Sequence, residues 1–572
     1  MPEDNLHDDG ATAGGSTLGA IAPVVVPALA ATALAGLGTL FIRSESKSGV
    51  VGQFKEICVR LGVLRKSWFN DAEIREGREA FKQCLNNGKH SAIRVFVDSA
   101  DGRGHQASSV NLLRRLAAPA DQHGYAYKGT IEIAYDEEYK EKTLPKLEAL
   151  FPEVDFKKPP LKLNDATLEL KPFRDGKTDD WPPVEFGFSG AADEDENLAK
   201  KLRTRKFLRL QPYRWEKRNE IQFEPTELKS IRMDDDAVEA HEKLAELPYR
   251  LPARPPPRWE DYEKGGDLAK KAAILRRLIE ENQKETLGLA PLYGIQSGKT
   301  MLRPPQDVLF NVTVGTLGAL QSENTSRLPR HAVLVNTGDL QRKDLTQVDR
   351  LIHGDESETE RIHRLSNHRT VDYESHQQRR TDLNALEAEQ RIKLVTLEPA
   401  PSGDRPSNET RPEIGEVDLQ KDLDWLASQD SGVLVVQLGP LPPELFQHLF
   451  EQASLPSVFE GQNTANQAIY LGKPYLHASM NQMVYPSLSA NDDEMRNRAK
   501  NAAQQVRTVL APDIQEPPWK AISTFIQDPD GKSEAYFTRL GEHYRSREND
   551  KLDVALAILG READCCTPPP NK

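Results

Sequence analysis

Cysteine is scarce in this chain. Its 572 residues hold four. Neither the isolated Cys58 and Cys84 nor the adjacent Cys565 and Cys566 show the spacing of a zinc site or a disulfide framework. A small disulfide-stapled scaffold is excluded, and a reducing compartment is the expectation. An excess of basic charge is also missing. With 75 Lys and Arg against 88 Asp and Glu, the formal net charge is -13. That argues against a nucleic-acid binder, because phosphate contacts need clustered cations. No DxD-type metal motif stands in a convincing place and no internal repeat is visible. Neither a metal nor a cofactor is expected.

Long apolar runs are absent with one exception. Residues 16–42 carry no charge, and AIAPVVVPALAATALAGLGTLFI is long enough to cross a bilayer. The acidic MPEDNLHDD before it is unlike the basic start of a secretory signal. Arg43, Lys47, Lys55 and Arg60 follow, which would keep the bulk of the chain cytosolic. The expectation is a membrane-associated protein with its large C-terminal part in the cytosol. The alternative is a cytoplasmic protein with an Ala/Gly-rich leader, since Pro23 and Pro27 weaken a helix there.

What is present is an α/β pattern. The length is too great for one core and predicts two or three domains. Residues 50–90 read as a charged helical connector. Ile93 to Val97 reads as a strand, followed by a helix with Val110, Leu112, Leu113 and Leu116 on one face. Thr130 to Ala134 and Leu144 to Leu150 repeat the alternation, which implies a parallel sheet with crossovers. Residues 155–285 are charged and Pro-rich and read as an insertion. Pattern returns at Ala290–Ile295 and in an apolar helix over Val308–Leu320. A second α/β series begins at Ala332–Val335, is interrupted by a polar insertion at 340–390, and resumes at Ile392–Val395. Residues 399–415 read as a loop, GVLVVQL (432–438) as a strand buried on both faces, and 442–453 as an amphipathic helix. The domains expected are a leader (1–49), an N-terminal domain (50–325), a C-terminal domain (326–490) and helices with a tail (491–572).

Two loops carry candidate chemistry. After the first strand comes Asp98 to Gln106. Gly102 and Gly104 allow close backbone approach to a ligand, and His105 enters at a helix start. Histidine suits a general base because it titrates near neutrality, and Asp98 or Asp101 is placed to orient it. The plain structural alternative is a tight turn in which His105 caps the helix. The second loop lies in LPSVFEGQNTANQAIYLGKPYLH (455–477), which reads as strand, polar turn, helix from near Thr464, stop at Gly472, and strand. Glu460 suits ribose hydroxyls. Asn463 and Thr464, beside Gly461, suit a diphosphate at a helix N-terminus. The alternative there is a capping cluster without a ligand. GIQSGKT (294–300) has three residues between its glycines where a phosphate loop needs four, although Lys299 remains a candidate anion contact. Asn311 and Asn408 sit in glycosylation-type triplets that a cytosolic location makes irrelevant. The Cys565–Cys566 pair reads as an idle tail rather than a lipidation site.

Taken together, DGRGHQASSVNLLRRL (101–116) and LPSVFEGQNTANQAIYLGKP (455–474) resemble the Gly-His loop and the nucleotide-sugar element of GT-B-fold glycosyltransferases. That resemblance implies two Rossmann-like domains facing across a cleft. It also implies a nucleotide sugar and an unidentified acceptor as partners, His105 as base, and Glu460, Gly461, Asn463 and Thr464 as donor contacts. Asn336, Thr337 and Gly338 would form the facing loop. Retaining members often carry a second glutamate eight positions after the first. Ala468 stands there, which leans toward inversion of configuration. The alternatives are a non-catalytic, membrane-tethered interaction protein on the same scaffold and a sugar-nucleotide epimerase.

Overall fold

The computed structural model describes residues 71–86, 92–99, 104–120, 123–151, 153–174, 180–190, 195, 197–210, 220–223, 230–232, 248, 250, 256–295, 305–322, 327–353, 380–398, 414–478, 485–506 and 518–562. The leader and the apolar run at 16–42 lie outside them. Among the described residues no helix is long and apolar enough to cross a membrane.

Two sheets organise the chain. The first contains β1 (Ala92–Val97), β2 (Thr130–Asp136), β3 (Leu161–Leu163), β4 (Ala166–Phe173), β5 (Val184–Ser189), β6 (Thr204–Arg209), β7 (Glu220–Phe223) and β8 (Ser230–Arg232). Their order is β3-β4-β2-β1-β5-β6-β7-β8. The centre, from β4 to β6, is parallel. Antiparallel strands close both edges. The stretch read as a Pro-rich insertion therefore supplies six strands of this sheet. Its apolar residues are thinly spread among charges, so the alternation that marks a strand is weak there.

The second sheet is parallel throughout. It contains β9 (Gly288–Tyr293), β10 (His331–Asn336), β11 (Ile392–Thr396), β12 (Gly415–Glu416), β13 (Gly432–Gln437), β14 (Ser457–Phe459) and β15 (Tyr475–His477) in the order β12-β11-β13-β10-β9-β14-β15. Every residue of β13 is buried, as its uninterrupted apolar sequence requires. Because β9 pairs with β10, this sheet opens well before residue 326. The helix Arg342–His353 packs against β11, burying Leu345, Val348, Leu351 and Ile352. Its charges fill the exposed face, which is why the sequence reads as the start of a solvated insertion. The later part of that insertion, 354–379, and the loop 399–413 lie outside the described residues.

Helices cover the sheets. Those used below are α1 (Asp71–Asn86), α2 (Gly104–Ala117), α3 (Pro305–Leu320), α4 (Pro443–Gln452), α5 (Gln462–Leu471), α6 (Lys532–Ser546) and α7 (Lys551–Glu562). Asn311 lies buried within α3, its amide donating to backbone carbonyls of Gln505 and Val506, so it is no glycosylation acceptor. Cys84, buried at the end of α1, is disulfide-bonded. Its partner lies outside the described residues, and a disulfide there departs from the expectation of a reducing compartment. Spacing within the sequence gave no sign of this, because no other cysteine lies near Cys84 in a recognisable framework.

The last two helices join the sheets. α6 packs on α5 of the second sheet, while α7 packs on α1 beside the first. The start of α7 is fixed by a buried ion cluster. Arg115 of α2 bonds Asp550 at 2.7 Å and Asp553 at 3.1 Å, and the Tyr125 hydroxyl donates to Asp553 at 2.7 Å. Where α1 and α7 cross, Gly77 and Gly560 bring the backbones together. A Cβ on Gly560 would stand 2.1 Å from the Gly77 carbonyl oxygen. Gly560→Ala should therefore lower stability by about 1–3 kcal/mol through overpacking, although alanine is the better helix former. Urea unfolding measures this, and an unchanged or raised midpoint would contradict the close crossing.

Candidate functional site

Each sheet has a place near its middle where neighbouring strands send the chain in opposite directions. In the first sheet, β1 leads towards β2 and its neighbour β5 leads towards β6. In the second, β9 leads towards β10 and its neighbour β14 leads towards β15. Such reversals open a crevice at the carboxyl ends of the strands, where α/β sheets bind ligands. Both loops singled out in the sequence follow a strand at one of these two points.

At the first crevice, Asp98 follows β1 and α2 covers the gap to β5. Gly190, just beyond β5, lies so close to α2 that a Cβ on it would stand 2.5 Å from the Ser109 backbone nitrogen. The Ser109 hydroxyl donates to the Phe96 carbonyl at 2.9 Å and accepts from the Gly190 N–H at 3.4 Å. The Gln106 amide donates to the Asp98 backbone carbonyl at 2.8 Å and to its carboxylate at 3.5 Å. Gly104 and His105 are the first two residues of α2. Asp101 and Gly102 lie outside the described residues.

At the second crevice the geometry is sharper. The N–H of Glu460 donates to the Tyr293 carbonyl at 3.0 Å, which extends the β9–β14 pairing to the loop. Gly294 has φ +78°, and a Cβ on it would stand 2.7 Å from Cβ of Glu460. Gly461 has φ +111° and forms the cap position of α5, where no side chain caps the helix. The helix thus begins at Gln462, two residues before the sequence placed it. Both glycines occupy backbone conformations that L side chains rarely adopt. The first turn of α5 points its backbone N–H groups outward with the positive end of the helix dipole.

Four side chains define this corner. Glu460 is largely buried, and burial pushes its carboxyl up to about 7. Thr464 is buried, and Asn463 accepts at Oδ1 from the Asn111 amide of α2 at 3.2 Å. Gln467, one turn further along, is 8 % exposed, and its buried Nε2 has no hydrogen-bond partner. Sequence reasoning passed over Gln467, which looked like one more polar residue on an amphipathic helix. Its spacing of four from Asn463 was the available signal. At the far end of α5, Gly472 takes the left-handed conformation as expected, and half-buried Lys473 donates to the Ala453 carbonyl at 2.9 Å.

Asn336, Thr337 and Gly338 follow β10 next door. Their polar groups face inward. The Asn336 amide donates to Gln437 at 2.5 Å and its Oδ1 accepts from the Gly338 N–H at 3.2 Å. Gln437 donates to the Gly338 carbonyl at 2.8 Å, and the Thr337 hydroxyl donates to the Leu292 carbonyl at 3.1 Å. This network braces the ends of β9, β10 and β13 beside the crevice. Residues 296–300, with Lys299, lie outside the described residues. Among the described residues no group of three or more His, Cys, Asp or Glu is placed to hold a metal. A separate hollow lined by Leu351, His353, Leu383 and Glu389 lies where α-helical residues enter β11, at the opposite edge of the sheet.

No protein-family model and no curated protein matches the sequence. Among solved structures, a chain described as trehalose-6-phosphate from E. coli bound with UDP-2-fluoro glucose aligns over 86% of this chain and 79% of its own. The identity is 9% and the TM-score 0.24. Similarity at that level says nothing about fold or function.

The raised pKa of Glu460 has a measurable consequence. Its folded value of about 7 lies above its ordinary 4.5, so the folded chain holds this proton longer than the unfolded one. Stability then falls as pH rises through this window and levels off above it. Glu460→Gln should remove the decline, leaving the variant on the order of 3 kcal/mol more stable than the wild type at pH 8. At pH 5 the gap should be small. Urea midpoints at the two pH values measure this, and a variant less stable than the wild type at pH 8 would contradict the burial.

Proposed function

We propose that this chain is a nucleotide-sugar-dependent glycosyltransferase with two Rossmann-like halves of GT-B type. The observation that carries the reading is the corner at β14 and α5. A helix N-terminus whose cap residue is glycine, a half-buried carboxyl just before it and an unpartnered buried amide one turn along the same helix all follow one chain reversal. The cap position is Gly461, which has no side chain with which to satisfy the helix.

In this reading the diphosphate of the donor rests on the first turn of α5, near Asn463 and Thr464. Glu460 receives the ribose hydroxyls, and Gln467 supplies a further N–H. The acceptor hydroxyl approaches from the β1 side. His105 takes its proton as the oxygen bonds to the anomeric carbon. The bond from that carbon to the diphosphate oxygen breaks with its electron pair going to the phosphate. The backbone N–H groups and helix dipole of α5 stabilise the charge that develops there. A single displacement of this kind inverts the anomeric centre. The contact of α2 with α5 through Asn111 supports bringing the two loops into one site.

Thermal-shift measurements with UDP-, GDP- and dTDP-sugars test the reading. One of them should raise the melting temperature, and His105→Ala should retain that shift while losing about 10²–10⁴-fold in sugar transfer. No shift across the panel, together with no hydrolysis of any of these donors, would refute the reading and favour a non-catalytic interaction protein.

A further inference from the structure

Asn111 lies on α2 with 6% of its surface exposed, and its Nδ2 donates to Oδ1 of Asn463 at 3.2 Å. The two residues belong to helices from different sheets. Asn463 is the second residue of α5, where the backbone N–H groups are free of a side-chain cap. A primary amide has one accepting end and one donating end. With Oδ1 engaged by Asn111, Asn463 turns its two N–H groups away from α2. Released from Asn111, the same amide would as readily present its oxygen, which repels an anion and competes for the helix N–H groups.

A second group points to the same place. Gln467 stands four residues after Asn463 on the same face of α5, and helical side chains lean towards the N-terminus. Its Nε2 is buried and has no hydrogen-bond partner. The two amides stand one turn apart on that face.

We propose, resting on the glycosyltransferase reading above, that Asn111 is a positioning residue that holds the Asn463 amide with its N–H groups towards the donor diphosphate. It acts through Asn463 and touches neither sugar nor base. Its effect is therefore on the diphosphate alone.

The test uses the full chain and calorimetric titration with UDP, GDP and dTDP, each beside its nucleoside. Asn111→Leu keeps the volume and removes the donor. It should weaken the nucleoside diphosphate that binds by about tenfold and leave the matching nucleoside unchanged. In an Asn463→Ala background the same substitution should add almost nothing, because the path through Asn463 is gone. Equal loss for diphosphate and nucleoside would overturn the proposal, as would no loss for either. Should Asn111→Leu fail to fold, Asn111→Asp keeps the shape but cannot donate, and the same split is expected. If the wild type binds no nucleotide, the glycosyltransferase reading fails, and inorganic pyrophosphate decides the positioning role by itself. Tenfold weaker pyrophosphate binding in the variant would support that role, and equal or absent binding would overturn it.

Discussion

The pairing of β9 with β14 is the constraint on which the rest depends. These strands are parallel neighbours whose connections run in opposite directions. Their ends must therefore part, yet they remain so close that Gly294 and Glu460 nearly touch. Only glycine fits at Gly294, and only a residue tolerant of positive φ fits at Gly461. The crowding buries Glu460, and burial raises its carboxyl towards neutrality. The turn at Gly461 starts α5 without a cap. A half-buried acid and a helix that starts at a glycine cap are thus consequences of one topological reversal.

The same arrangement recurs in miniature at β1 and β5, where Gly190 lets α2 settle against the sheet. The two halves are held by contacts of different character. Asn111 and Asn463 share one neutral hydrogen bond near the loops. One turn along α2, the Arg115–Asp550–Asp553 cluster pins the final helix through buried charges. Removing one member of such a cluster leaves its partners buried and unpaired, so the attachment is all-or-none in energetic terms. The neutral contact and the charged one stand one helical turn apart on α2.

Much of this was legible in the sequence. The segment from Leu455 to His477 was read as strand, turn, helix and strand, and the structure has those elements in that order. Apolar runs such as GVLVVQ and glycine stops such as Gly472 carry their meaning locally. What could not be read depended on partners distant in the chain. β7 and β8 are short and polar and earn their place only by pairing with β6. The 342–353 helix looked like an insertion because its charged face outnumbers its buried one. Gln467 was invisible as a site residue, since burial without a partner is a property of the folded neighbourhood. Cys84 was misread for the same reason.

The central claim is that a nucleotide sugar bridges the two chain reversals. Hydrogen exchange of the full chain, with and without the nucleotide sugar that raises its melting temperature, tests this most directly. The account predicts slowed exchange in peptides covering 458–466 and 98–106 together, with little change in the helices at 518–562. Protection confined to one of the two loops, or found only elsewhere, would contradict it.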